Sequence, residues 1–290
     1  MMQWLLILIA GLLAGHLVRR LTPRLLGEKN NEMPFSLPFV EILGAGLFAL
    51  LLVSKGLTLS SAKWYLFTVL LMAIGSADAF RKYVPTTVCK LGTVAGLVLS
   101  FLEPADISDI LNQGLLVESL TSFFHGAPIT GLILAISGAL MGFFMIWFIR
   151  RIFYSLAGIE AMGLGDAYIM MMAGAFIGPQ GALFSLLPAC FIGILIGLAR
   201  KALYGVSHLA FGPALGFGAF FILLYSNQFT QGIVAFSELL FGLSSSVRLI
   251  FSLVLVFTLI VLILRLRRKA AEYEQQIESD YEEIDKKMNK

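Results

Sequence analysis

The chain has 290 residues, 58% hydrophobic and 13% charged, with a mean hydropathy of +0.88. That leaves too little polar surface to coat a water-soluble globule and points to an all-α, polytopic membrane helix bundle, because backbone groups in lipid must be paired internally and no ten-residue alternation of a membrane β-barrel is present. The net charge of +3 is spread over helix ends rather than gathered into a nucleic-acid surface, and the two cysteines, Cys89 and Cys190, lie far from any CxxC pairing, so neither a disulfide nor a cysteine-based metal site is expected.

A bilayer core of roughly 30 Å takes about 20 apolar residues per helix. In chain order the apolar runs predict nine spans, at 3–18, 37–54, 63–80, 86–102, 128–149, 166–177, 181–199, 212–227 and 247–265. No basic residue precedes the first run, and Arg19 and Arg20 follow it directly, which reads as a retained anchor rather than a cleaved signal. If the spans alternate, the basic residues at 19–29, 81–90, 150–151, 200–201 and 265–269 share one side, and only Lys55, Lys63 and Arg248 fall on the other. The excess of positive charge inside then places the N-terminus outside and the C-terminus in the cytoplasm. The acidic loop at 103–127 suits the external side.

Glycines recur at four-residue spacing (Gly11 and Gly15, Gly92 and Gly96, Gly138 and Gly142, Gly193 and Gly197, Gly212 and Gly216), the pattern of closely packed membrane helices. The 266–290 segment is a charged, helix-favouring cytoplasmic tail, either a solvated helix or a surface for a partner.

Four carboxylates stand near or within the apolar runs: Glu41, Asp78, Glu160 and Asp166. Each costs about 2.5 to 3.5 kcal/mol on insertion scales, so a role is expected. Asp78 lies at the cytoplasmic end of the third predicted span and Asp166 at the cytoplasmic start of the sixth, similar depths at one membrane face. Two carboxyls held together share a proton and titrate as a unit. Around a water molecule, one removes a proton as water attacks a carbonyl while the other protonates the carbonyl oxygen. Gly163 and Gly165, in "EAMGLGDAY", would let the turn before Asp166 bend and a peptide backbone approach. A carboxylate at a helix boundary, snorkelling to the interface, is the simpler alternative.

In order and spacing these motifs resemble the type IV prepilin peptidases, membrane aspartyl proteases of the GxGD type. The first motif, an aspartate followed by a basic or polar stretch and a proline, is matched by "DAFRKYVP" from Asp78 to Pro85. The second, Glu-x-Met-Gly-x-Gly-Asp, is matched by Glu160, Met162, Gly163, Gly165 and Asp166. A later Phe-Gly-Pro is matched by Phe211, Gly212 and Pro213, and "SLPFVEIL" is similar to the family's Tyr-Pro-x-x-Glu-Leu segment.

The resemblance implies that Asp78 and Asp166 are catalytic, with Glu160, Gly163, Gly165, Pro85, Gly212 and Pro213 in support. It implies cleavage of the basic leader from type IV prepilins or related pseudopilins at the cytoplasmic face of the inner membrane, just before their apolar helix. The expected organisation is a two-helix segment with a shortened cytoplasmic loop at 1–62, the peptidase bundle at 63–227, an external segment and extra helix at 228–265, and the tail at 266–290.

Four departures qualify the expectation. Many bacterial members carry two CxxC pairs between the first two spans, linked to zinc and to N-methylation of the trimmed product. Here that interval has no cysteine, so neither zinc nor S-adenosylmethionine is expected as a cofactor. Family members usually have Lys two residues after the second aspartate, where this chain has Tyr168, and often Asn or Asp after the proline, where it has Thr86. The ninth span is also an addition to the usual eight. Alternatives therefore stay open: another GxGD protease of the preflagellin or presenilin-like kind, an ion- or proton-coupled transporter using the two aspartates, or an inactive peptidase-like scaffold. His16, within the first span, is read as a hydrogen-bonding residue rather than a ligand.

Overall fold

The structure, a computed structural model, describes residues 2–25, 39–58, 60–103, 128–158, 162–204 and 210–242, with scattered positions between 253 and 271. All seven described elements are helices: α1 (Met2–Leu25), α2 (Phe39–Lys55), α3 (Ala62–Arg81), α4 (Thr86–Leu102), α5 (Pro128–Ala157), α6 (Leu164–Tyr204) and α7 (Gly212–Gly242). Of these, α1, α5, α6 and α7 are long and apolar enough to cross a membrane. The chain is therefore a helical, multi-pass membrane protein. Most of the predicted 247–265 span and of the tail lies outside the described residues.

The helix ends follow local chemistry. Pro85 precedes the first turn of α4, and its carbonyl accepts the N–H groups of Val88 and Cys89 at 3.0 and 3.2 Å. α5 runs beyond its predicted end at 149, because Arg150 and Arg151 do not break a helix; it stops at Gly158, whose φ of 67° closes the last turn. α6 is interrupted at Gly178 (φ 72°, ψ 178°), just before Pro179 and between the predicted 166–177 and 181–199 runs. α7 also outlasts its prediction of 227. The polar run Ser226–Gln228 resembles a span end, yet the helix passes through one irregular residue, Tyr225, and continues.

The chain divides into two compact units, Met1–Ile146 with Leu164–Thr230, and Trp147–Gly163 with Gln231–Lys290. In the first unit α1 packs on α2 and α3, and α4 packs on α6. Glycines set these distances. A Cβ on Gly11 would lie 2.7 Å from the backbone of α2 at Ala45, and one on Gly15 would lie 2.5 Å from that at Glu41. Gly138 and Gly142 of α5 press against the α6 backbone at Gly174 and Met170, leaving no room for a side chain. Gly92 and Gly96 of α4 meet Met172 and Phe176 of α6 in rising order, so these two helices run parallel. Gly216 departs from the pattern: an added Cβ would find its nearest neighbour, Leu71, at 3.9 Å.

Candidate active site

Asp78 occupies the last turn of α3. Its carbonyl accepts the N–H of Lys82 at 2.8 Å, and Lys82 adopts the left-handed conformation (φ 53°) that ends the helix. Its carboxyl turns toward the start of α7, where Oδ2 accepts the backbone N–H of Gly212 at 2.8 Å. An N–H in the first turn of a helix has no partner within that helix and stands at its positive pole, so a carboxylate is a fitting acceptor. Residue 212 must be glycine for this approach, because a Cβ there would sit 2.5 Å from Asp78 Oδ2. Pro213 follows in the first turn, where a missing N–H costs nothing.

Asp166 stands in the first turn of α6, a position that favours negative charge. The residue before it, Gly165, packs against Val84, with a would-be Cβ 2.7 Å from that of the valine. Val84 precedes the buried Pro85, so the loop leaving α3 and the turn entering α6 are joined there. Deeper in the bundle the rings of Phe67 on α3 and Phe176 on α6 stack at 4.7 Å. From that shared level Asp78 lies 11 residues on and Asp166 10 residues back, about 16 and 15 Å along their axes at 1.5 Å per residue. The two helices run antiparallel, and both carboxylates are nearly withdrawn from solvent, at 5% and 7% exposure.

Residues 65–198 match the type IV leader peptidase family. That segment contains both aspartates, Pro85, Gly163 and Gly165. Over 107 residues the chain is 31% identical to the prepilin leader peptidase/N-methyltransferase of Pseudomonas aeruginosa, covering 36% of this chain and 37% of that protein. It is 29% identical over 108 residues to the protein of that name from Xanthomonas campestris, covering 36% and 38%. A longer match, 26% over 200 residues, joins it to the Neisseria gonorrhoeae protein, covering 68% of this chain and 60% of the relative. The chain thus spans well under half of the first two relatives. No solved structure matches it.

Within this leader peptidase segment the expected site residues are only partly gathered. Gly212 and Pro213 lie beyond the matched residues, yet Gly212 reaches Asp78, and Val84 links Pro85 to Gly165. Gly163 is exposed and belongs to the second unit, and Glu160 lies outside the described residues. Among the described residues, no three His, Cys, Asp or Glu side chains gather to hold a metal.

Two contacts escape a linear reading. The Tyr168 ring, in the position where the resemblance expects Lys, tilts against Phe143 at 5.6 Å, and the Lys90 ammonium of α4 stands 5.3 Å above it. A cation therefore approaches position 168 from a neighbouring helix. Glu41 accepts from Arg19 Nε at 3.1 Å and lies 3.5 Å from His16 Nδ1, pinning α1 to α2, while its buried Oε2 has no hydrogen-bond partner among the described residues.

Proposed function

We propose that this protein is a membrane aspartyl endopeptidase that removes the N-terminal leader of type IV prepilins or pseudopilin-like substrates. The observation that carries the reading is the Phe67–Phe176 stack between antiparallel helices, from which Asp78 and Asp166 lie at similar distances toward the same end, inside the segment that matches the leader peptidase family. The names of the relatives support the choice of substrate.

One carboxylate takes a proton from a water molecule as its oxygen bonds to the scissile carbonyl carbon. The other, protonated, gives its hydrogen to the carbonyl oxygen, forming a neutral tetrahedral diol. Collapse breaks the C–N bond as the nitrogen is protonated, leaving a leader with a new carboxylate and a mature chain with a free amine. Gly212 N–H fixes the direction of the Asp78 carboxyl throughout. Gly165 lets the turn before Asp166 pack closely against Val84.

In this reading nine helices cross the inner membrane with the N-terminus outside, the C-terminus inside and the dyad at the cytoplasmic face. The peptidase bundle is 63–227, preceded by the 1–62 segment and followed by the 228–265 helix and the 266–290 tail. The enzyme uses neither zinc nor S-adenosylmethionine and does not methylate its product. Coexpression with a prepilin-like substrate tests the proposal: the parent trims the leader, and Asp78→Asn and Asp166→Asn each abolish trimming while the protein still accumulates in the membrane. Trimming by both variants would refute the dyad.

A further inference from the structure

Beside Asp78 an apolar cleft opens between α2, α3 and the start of α7. It has a volume of about 190 Å³, and apart from Thr68 and Ser76 its lining is apolar or glycine. A second, shallower depression shares Phe39, Leu43, Leu47 and Phe217 with it and continues along α2 to Val53. Together they form one groove that follows α2 for 14 residues, about 21 Å at 1.5 Å per residue, or two thirds of a hydrocarbon core of roughly 30 Å.

Its inner end coincides with the site. Ala79 and Phe80, the residues after Asp78, line it, as does Pro213, the neighbour of the Gly212 donor. Among its large apolar side chains the lining includes two glycines, Gly75 and Gly216. A Cβ on Gly75 would meet its nearest neighbour at 3.7 Å and one on Gly216 at 3.9 Å, ordinary contact distances, whereas the glycines of the α1–α2 and α5–α6 interfaces admit no side chain. Glycine in a helix is less favourable than alanine and gains nothing against fluid acyl chains, whereas it lets another helix approach closely.

We infer that this groove seats the apolar helix of the substrate, parallel to α2, with the peptide bond at its cytoplasmic end delivered to Asp78. The inference rests on the peptidase reading and adds where the membrane-embedded half of the substrate lies. Specificity then comes in part from depth: only a bond placed where an apolar helix emerges from the groove meets the carboxylates. A short leader alone would reach them without this guide.

The test uses the full chain in phosphatidylethanolamine–phosphatidylglycerol vesicles with a substrate made of a basic leader, a cleavage site and a 20-residue apolar helix. A photo-crosslinking amino acid is placed at Leu47 or Phe217 in the groove, or at Leu140, exposed on α5. Crosslinks to the substrate helix from Leu47 and Phe217 but not from Leu140 are expected. Gly216→Leu, which fills the groove, should raise KM at least tenfold and change kcat less than threefold. If the parent cuts the substrate while the groove positions crosslink only lipid or a second copy of the chain, or Gly216→Leu leaves KM within twofold, the groove assignment fails and the peptidase survives. A parent that cuts no such substrate, and whose groove crosslinks none, overturns both.

Discussion

Gly212→Ala is the smallest change that should disable the site. The new Cβ would begin 2.5 Å from Asp78 Oδ2, 3.0 Å from its Cγ and 3.1 Å from its Cβ. Ordinary contact starts near 3.4 Å, so the carboxyl must retreat by about 1 Å, and the 2.8 Å bond from the Gly212 N–H is lost or badly bent. A hydrogen bond to a charged group is worth roughly 1.5–3 kcal/mol, and a misplacement of about 1 Å at a reacting group costs on the order of 100-fold in rate. The two estimates agree, since 100-fold is about 2.7 kcal/mol. Purified protein in vesicles, assayed by initial rates on a prepilin-like substrate, should show kcat/KM reduced about 100-fold. Gly232→Ala, whose Cβ meets nothing within 4 Å, serves as the control and should stay within twofold. If Gly212→Ala retains more than a third of parental kcat/KM, the hydrogen bond from α7 does not position Asp78.

Further expectations follow from other contacts. Arg19→Met strips the buried Glu41 carboxylate of its nearest donor and should cost roughly 1–3 kcal/mol, read as a fall in thermal midpoint in detergent; adding Glu41→Leu should restore most of it. Gly174→Leu places a side chain inside the backbone of α5 at Gly138 and should prevent accumulation of folded, monodisperse protein. Lys90→Met removes the cation over the Tyr168 ring, an exposed interaction worth about 0.5–1 kcal/mol, so a small drop in melting temperature is expected, and a drop above 2 kcal/mol would mean the ammonium has a larger role. The pH profile of kcat/KM should be bell-shaped, because activity needs one carboxyl charged and its partner protonated; a single sigmoid would contradict a shared proton.

Much of the helical framework was legible because it depends on local signals. Pro85 marks the start of α4 at Thr86, Phe211–Pro213 the start of α7 at Gly212, and Gly178–Pro179 the break in α6. Where polarity stood in for a helix end, at Arg150 and again at Ser226, the helices ran on, since interfacial charges and amides do not terminate a helix by themselves. The pairings between helices were harder to read. Four-residue glycine spacing marks a face that is approached closely but not its partner: Gly15 meets Glu41, Gly142 meets Met170, and Gly216 has only Leu71 at an ordinary contact distance of 3.9 Å. Which side of α4 turns toward Tyr168, and which basic residue reaches Glu41, depends on rotation about helix axes that no spacing rule contains. Val84 carried no sequence signal at all, because a valine beside a proline looks like any other apolar residue until Gly165 is set against it.

The Gly212 hydrogen bond also has a meaning in time. Its donor is 134 residues downstream of Asp78, a stretch that takes roughly 7 to 27 s to synthesise at about 5–20 residues per second. During that interval α3 can enter the bilayer and Asp166 can be made, yet the Asp78 carboxyl still lacks the group that aims it. A nascent chain therefore carries both acids before it carries a finished site, and the birth of α7 is the event that arms it.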